Sequence, residues 1–425
     1  MWDEFGFSEN PYDHLPVSAS TAGERLLVGR EEEISKLIIR IKGRNAIPTL
    51  EGDIGVGKTS IIAVASYKME AGFFKSGGVC YLSLEKPFQL DGSEDVERFT
   101  ERVLQSILVK VHLSRQRLIE SGINVGDTSK LYNWLTSEQY TGGGLTIGPA
   151  GGSISTTPNT TRGFSTLGFQ RGVLEILKGI FPNPKKGGVI CVIDNLELLE
   201  KSSTARKLLE AMRDKVLTAH GLIWVICGAR GIVRGLASSP RLQSHLSKPM
   251  QISPLRPNQV DGLVERRVTE YRISPGSERV PVSGKGFLHV FRICNDNLRT
   301  ALKFCSDFAE WLYEDGKIEA TAEEKYGLLE AWLAEQADEF NKSTRLTPKP
   351  WEIFDHIIDE GGSIAPSDHD KFGYETPMAM RPQIKSLEEA GLVESTIDDS
   401  DQRRRTISVT PKGWLINYSR RGYPG

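Results

Sequence analysis

Short apolar runs punctuate the first 252 residues. One leads into "LEGDIGVGKTS" at residues 50–60. The others are Val79–Leu84, Val189–Ile193, Leu222–Cys227 and a weaker "PMQIS" around Ile252. Each has the length of a buried strand, and helical patterns separate them. Residues 26–42, "LLVGREEEISKLIIRIK", read as a turn and then an amphipathic helix, with Ile34, Leu37, Ile38 and Ile41 at helical spacing. Alternating strands and helices predict a parallel, doubly wound α/β sheet. Pro48 falls inside the first presumed strand, where it would remove a ladder donor.

Beyond Ile252 the pattern turns helical, from Arg256 to about Asn341. "NLRTALKFCSDFAEWLY" places Leu298, Leu302, Cys305, Phe308 and Leu312 on one face. "STRLTPKP" reads as a linker. From Trp351, "WEIFDHIIDEGG" predicts a helix ended by glycines. "PMAMRPQIKSLEEAGLVES" predicts another, with Ile384, Leu387 and Leu392 inward; strand, charged turn, strand and a last helix follow. The expected division is a core over 1–252, a helical lid over 253–345 and a small domain over 346–425. Residues 141–168 break the rhythm: 18 of 28 are Gly, Ser or Thr. Such a segment buries too little apolar area to join a core, so a surface insertion or a hairpin is expected.

At 425 residues the chain exceeds one ordinary core. It is 39% hydrophobic and 25% charged, with no apolar run of membrane-spanning length. "MWDEFGFSENPYDHL" lacks the basic start and apolar stretch of a signal peptide. The five cysteines form no CxxC and no metal-ligand spacing. A cytoplasmic protein with reduced thiols and no membrane partner is therefore expected. A net charge of −2 exerts no global pull on nucleic acid, so any DNA contact must come from a local patch.

Gly52, Asp53, Ile54, Gly55, Val56, Gly57, Lys58 and Thr59 match G-x-x-x-x-G-K-[ST] in full, followed by Ser60. Glycines allow backbone N–H groups to converge on anionic oxygens, and a helix starting near Lys58 adds the positive end of its dipole. Lys58 is expected on the β and γ phosphates of ATP, and the Thr59 hydroxyl on Mg²⁺. "GGVICVIDNLELLE" supplies an apolar strand ending in Asp194, the second expected metal ligand. Hydrolysis also needs a base to orient water. Asn195 follows the metal aspartate, and Glu197 is either that base or a solvated carboxylate.

These residues resemble the AAA+ ATPases, and within them the initiator branch of origin-recognition ATPases; the STAND signalling ATPases are also similar. "ENPYDHL" with "LLVGREEEI" looks like that family's leading segment, which implies that backbone near Val28, Gly29 and Arg30 meets the adenine. "SSPRLQSHLSKPMQISPL" implies that Arg241 lies in the arginine-finger region, facing a neighbouring subunit. "NDNLRTALKFC" resembles the "GDxRxAL" helix, which makes Arg299 the sensor-2 arginine. "LIWVICGAR" departs from the initiators, and its Arg230 is more like the arginine of STAND proteins, a candidate γ-phosphate sensor.

The last 75 residues resemble a MarR-type winged helix, as initiators also carry. The resemblance implies DNA contacts from Arg381 and Lys385 on a recognition helix and from Arg403, Arg404 and Arg405 on a wing. Residues 351–425 nevertheless hold 9 Lys plus Arg against 13 Asp plus Glu. The fold expected is therefore a P-loop α/β sheet of AAA+ type with a helical lid and a C-terminal winged helix. The function expected is ATP-dependent DNA binding. Two rivals remain: a STAND-like switch that recruits protein partners through the winged helix, and a transcription regulator with an ATP-tuned reader.

Overall fold

A computed structural model describes residues 1–90, 94–136, 166–196, 202–229, 239–397 and 405–421, together with Val233 and Leu236. After α1 (Thr21–Leu26), α2 (Glu31–Gly43) opens with three glutamates, closes with Arg40 and Lys42, and buries Ile34, Leu37 and Ile41. That charge order suits the helix dipole. β1 (Thr49–Gly52) leads into α3 (Lys58–Ser76), then β2 (Cys80–Ser83) and the two-residue β3 (Phe88–Gln89). Next come α4 (Val96–Glu120), α5 (Ser129–Thr136), α6 (Thr166–Ile180), β4 (Gly187–Asp194), α7 (Ser202–Met212), β5 (Leu222–Gly228) and β6 (Met250–Ile252).

The strands pair in parallel in the order β2-β4-β5-β1-β6, with β3 beside β4. The doubly wound sheet is thus as expected. Although β2, β4 and β5 are mostly apolar, their side chains alternate between two cores. Cys80, Leu82, Cys191, Trp224 and Ile226 pack with α4 and α6; Tyr81, Ile190, Val225 and Cys227 pack with α2 and α3. That is the period of two expected for a sheet covered on both faces. All five cysteines are buried thiols, none of them in a disulfide.

Three expectations need correction. Pro48 stands just before β1, and its carbonyl accepts the N–H of Ile226 at 3.0 Å, so no ladder donor is lost. Of the segment 141–168, the last three residues belong to α6; the rest lies outside the described residues. The core assigned to 1–252 is also too wide. Phe5, Phe7 and Tyr12 are buried in the helical lid's cluster, and the Tyr12 hydroxyl donates to the Val282 carbonyl at 2.6 Å.

The lid comprises α8 (Pro257–Tyr271), α9 (Gly284–Ile293), α10 (Leu298–Glu314) and α11 (Ala322–Ser343). Leu302, Cys305, Phe308 and Leu312 of α10 are buried, while Leu298 is partly covered. The linker is shorter than expected, because Pro348 already occupies the first turn of α12 (Pro348–Asp359). β7 (Ser363–Ile364), α13 (Pro377–Glu389), β8 (Val393–Ile397), β9 (Arg405–Val409) and α14 (Pro411–Arg421) complete the chain. Their antiparallel sheet runs β7-β9-β8, and Ile384, Leu387 and Leu392 point into its core. Among the described residues no helix is long and apolar enough to cross a membrane.

Candidate functional site

The sheet's parallel sense brings the C-terminal ends of β1 and β4 to one edge, where α/β folds bind ligands. β1 ends at Gly52, which has no room for a side chain: a Cβ would lie 2.5 Å from the Ile252 carbonyl of neighbouring β6. The turn that follows places Gly55 and Gly57 at φ +82° and +99°. These left-handed conformations favour glycine. Lys58 opens α3 and is nearly buried; its ammonium donates to the carbonyls of Gly52 at 2.9 Å and Asp53 at 3.0 Å. Thr59 Oγ1 donates to Asp194 Oδ2 at 2.5 Å. Asp194 is 2% exposed, and its Oδ1 accepts the Asn195 N–H at 2.8 Å and the Cys227 thiol. A hydroxyl beside a buried carboxylate at a P-loop is a donor set of hard oxygens, which suits Mg²⁺.

Val28, Arg30, Ile54 to Ser60, Asn195 and Arg299 line one cleft. Its lining also includes Leu15 and Val17 before α1, Leu26 at the end of α1, Leu255, Leu263 and Leu302 of the lid region, and His14 and Arg267. The cleft therefore combines backbone amides and cations with apolar side chains, the mixture usual in a small-molecule site. Arg30 is buried and serves the cradle: it donates to the Val56 carbonyl at 2.9 Å and pairs with Glu33 at 3.0 Å. Burial pulls its pKa down, against the opposing pull of Glu33. Gly29, at φ +67°, accepts from the Gln259 amide at 3.2 Å, which joins the leading segment to α8.

No protein-family model matches the chain, and no curated protein matches it. Among solved structures it is similar to the Aeropyrum pernix ORC2 protein in ADPNP–ADP complexes, at a TM-score of 0.50 and 11% identity over 97% of each chain. The chain shares the overall fold of that protein. The Aeropyrum pernix ORC1 protein in complex with DNA is similar at a TM-score of 0.45 and 16% identity over 92% of each chain. The Walker-type ATPase of Pyrococcus abyssi is similar at 0.46 and 12% identity, over 96% of this chain and 99% of that one.

Within this fold the residues singled out in the sequence do not all come together. Lys58, Thr59, Asn195, Arg299 and the leading segment line the cleft, and Asp194 reaches its edge through Thr59. Asn195 has φ +57°, a conformation asparagine adopts readily and glutamate does not. Arg241 stands apart: it is 73% exposed and 3.8 Å from Glu210, outside the cleft lining. Arg381 and Lys385 lie exposed on α13, where Lys385 pairs with Glu389 at 3.5 Å. Glu197, Arg230, Arg403 and Arg404 lie outside the described residues, and Arg405 opens β9.

Two side chains at the cleft were not foreseen. Arg267 of α8 is 5% exposed and donates to the carbonyls of Pro11 at 3.2 Å and Asp13 at 2.8 Å. Nothing in a mid-helix arginine announces this, because the N-terminal segment comes from 250 residues upstream. Asn297 caps α10, and its side-chain amide also donates to the Ile54 carbonyl at 3.1 Å. An asparagine just before an apolar helical pattern is a cap signal that was there to be read.

Proposed function

We propose that the protein is a nucleotide switch: Mg–ATP binds in the cleft, and its state is passed through the lid to a C-terminal winged helix that binds DNA. One observation carries this reading. The P-loop with Lys58 and Thr59 and, on a lid helix, Arg299 line one cleft, and Thr59 bonds Asp194 at the end of β4. A triphosphate there would touch both bodies at once, so its γ-phosphate would favour one lid angle. The fold shared with a protein solved with ADPNP and ADP supports nucleotide as the ligand. Turnover is proposed to be slow, because Asn195 replaces a carboxylate directly after the metal aspartate.

DNA is the partner proposed for the tail, by way of Arg381 and Lys385 on α13 and Arg403, Arg404 and Arg405 at the wing. The helix–strand–helix–strand–strand–helix order from α12 to α14 supports a winged helix there. Arg241, exposed and loosely paired, is the proposed contact to a neighbouring subunit. The test measures DNA affinity with ATP, ADP and no nucleotide, for the wild type and Lys58→Ala. The expected outcome is nucleotide-dependent affinity whose logarithm falls with log salt, lost in Lys58→Ala with the fold intact. Equal affinity in all three states overturns the coupling. The acidic balance of the tail and the Lys385–Glu389 pair favour a second reading, a protein-docking switch. A nucleotide response with no DNA retained would select it.

A further inference from the structure

The turn between β1 and α3 is held from outside as well as by its own lysine. Its carbonyls at Gly52 and Asp53 take the Lys58 ammonium, and that at Val56 takes Arg30. The remaining one named here, Ile54, accepts from Asn297 of the lid at 3.1 Å. The described peptide bonds include no cis bond. In a trans peptide the carbonyl and the following N–H point opposite ways. A carbonyl of Ile54 drawn toward the lid therefore turns the N–H of Gly55 away from it.

Asn297 is placed by a hydrogen-bonded turn. Asn295 and Asp296 both adopt left-handed backbone, at φ 49° and 60°, between α9 and α10. Asparagine and aspartate are the non-glycine residues that adopt this conformation most readily. Here the N–H groups of Asn295, Asp296 and Asn297 bond back to the carbonyls of Arg292, Phe291 and Cys294. The Asn297 amide is then divided: Oδ1 accepts the Thr300 N–H at 3.1 Å as the helix cap, and Nδ2 serves the cradle. Gly55 is fitted to that contact, since a Cβ on it would lie 2.8 Å from Asn297 Oδ1 and 2.9 Å from Arg299 Cβ.

We propose that Asn297 is a positioning residue that latches the lid to the phosphate cradle, orienting the 54–55 peptide and coupling that orientation to the lid. The latch rests on the reading of the cleft as a nucleotide site. It gives the lid a grip on the cradle that does not pass through Arg299.

Serine and aspartate cap helices as well as asparagine does, but neither donates an amide N–H. Asn297→Ser and Asn297→Asp thus keep the cap and remove the latch. Hydrogen exchange of the nucleotide-free full chain should speed up at residues 54–58 in both variants, with α10 unchanged. Release of a fluorescent ADP analogue should quicken about three- to tenfold, the equivalent of one ordinary hydrogen bond, with the melting temperature lowered by no more than about 2–4 °C. Unchanged exchange at 54–58, or equal acceleration in α10, overturns the latch. If the wild type binds no nucleotide, the site reading falls, and the exchange of the nucleotide-free protein still decides whether Asn297 holds the turn.

Discussion

Gly57 is a fixed position of the motif and Gly55 an extra glycine within it, and their surroundings differ. Both have positive φ, so alanine at either position costs about 1–2 kcal/mol of backbone strain. Around Gly57 a Cβ would meet nothing within 4 Å; at Gly55 it would strike Asn297 and Arg299. Gly55→Ala should therefore destabilise the chain more than Gly57→Ala in urea denaturation, and it alone should loosen the lid. Equal losses would mean that backbone strain, not the lid, sets the requirement at 55. The glycines, Lys58, Thr59 and Asp194 were legible in the sequence because the P-loop is local: its atoms meet across a few residues. Asn297 and Arg267 act on backbone 243 and more than 250 residues away, and only the folded chain brings them there.

At the scale of elements, α14 is the clearest case of what a one-faced reading misses. "TPKGWLINY" reads as a helix, but its apolar residues do not form a single stripe. Trp414 and Ile416 enter the tail's core, whereas Leu415 is fully buried in the lid's core. Three consecutive apolar residues in a helix imply burial on more than one side, and that was the available signal. The same blindness affected the first fifteen residues. Phe5, Phe7 and Tyr12 looked like part of the sheet domain because they precede it, and they pack in the lid instead. The sheet itself was readable from its apolar runs, except for β3, where two residues are too few to show a period. Leu415→Ala should cost about 2–5 kcal/mol, the usual range for emptying a core leucine site. It should also loosen α14 from α11, read as faster hydrogen exchange in α14 than in α13. Uniform acceleration over the whole tail would instead mean that Leu415 supports the tail's own fold.

At the scale of the molecule, lid and tail meet on a buried histidine. His289 of α9 is 4% exposed, with Nε2 3.3 Å from the Tyr418 hydroxyl of α14 and its ring tilted against Tyr326 of α11. Burial lowers its pKa below the ordinary 6.5; Glu330 opposes that shift and Lys285 adds to it. A depressed folded-state pKa means that, on acidification, the unfolded chain takes up its proton first. The contribution of His289 is therefore fully present above about pH 6.5 and is lost as pH falls from there through the folded-state value. His289→Gln removes the titration while keeping a polar side chain of similar reach. Wild type should be the more stable at pH 7.5, and its advantage should shrink by pH 5.5 in urea denaturation of the full chain. An advantage that stays constant across that window would show that the ring is not held neutral between lid and tail. If the gap closes and α14 exchanges faster at the lower pH, the junction through which the lid would steer the tail is itself weakened by acid.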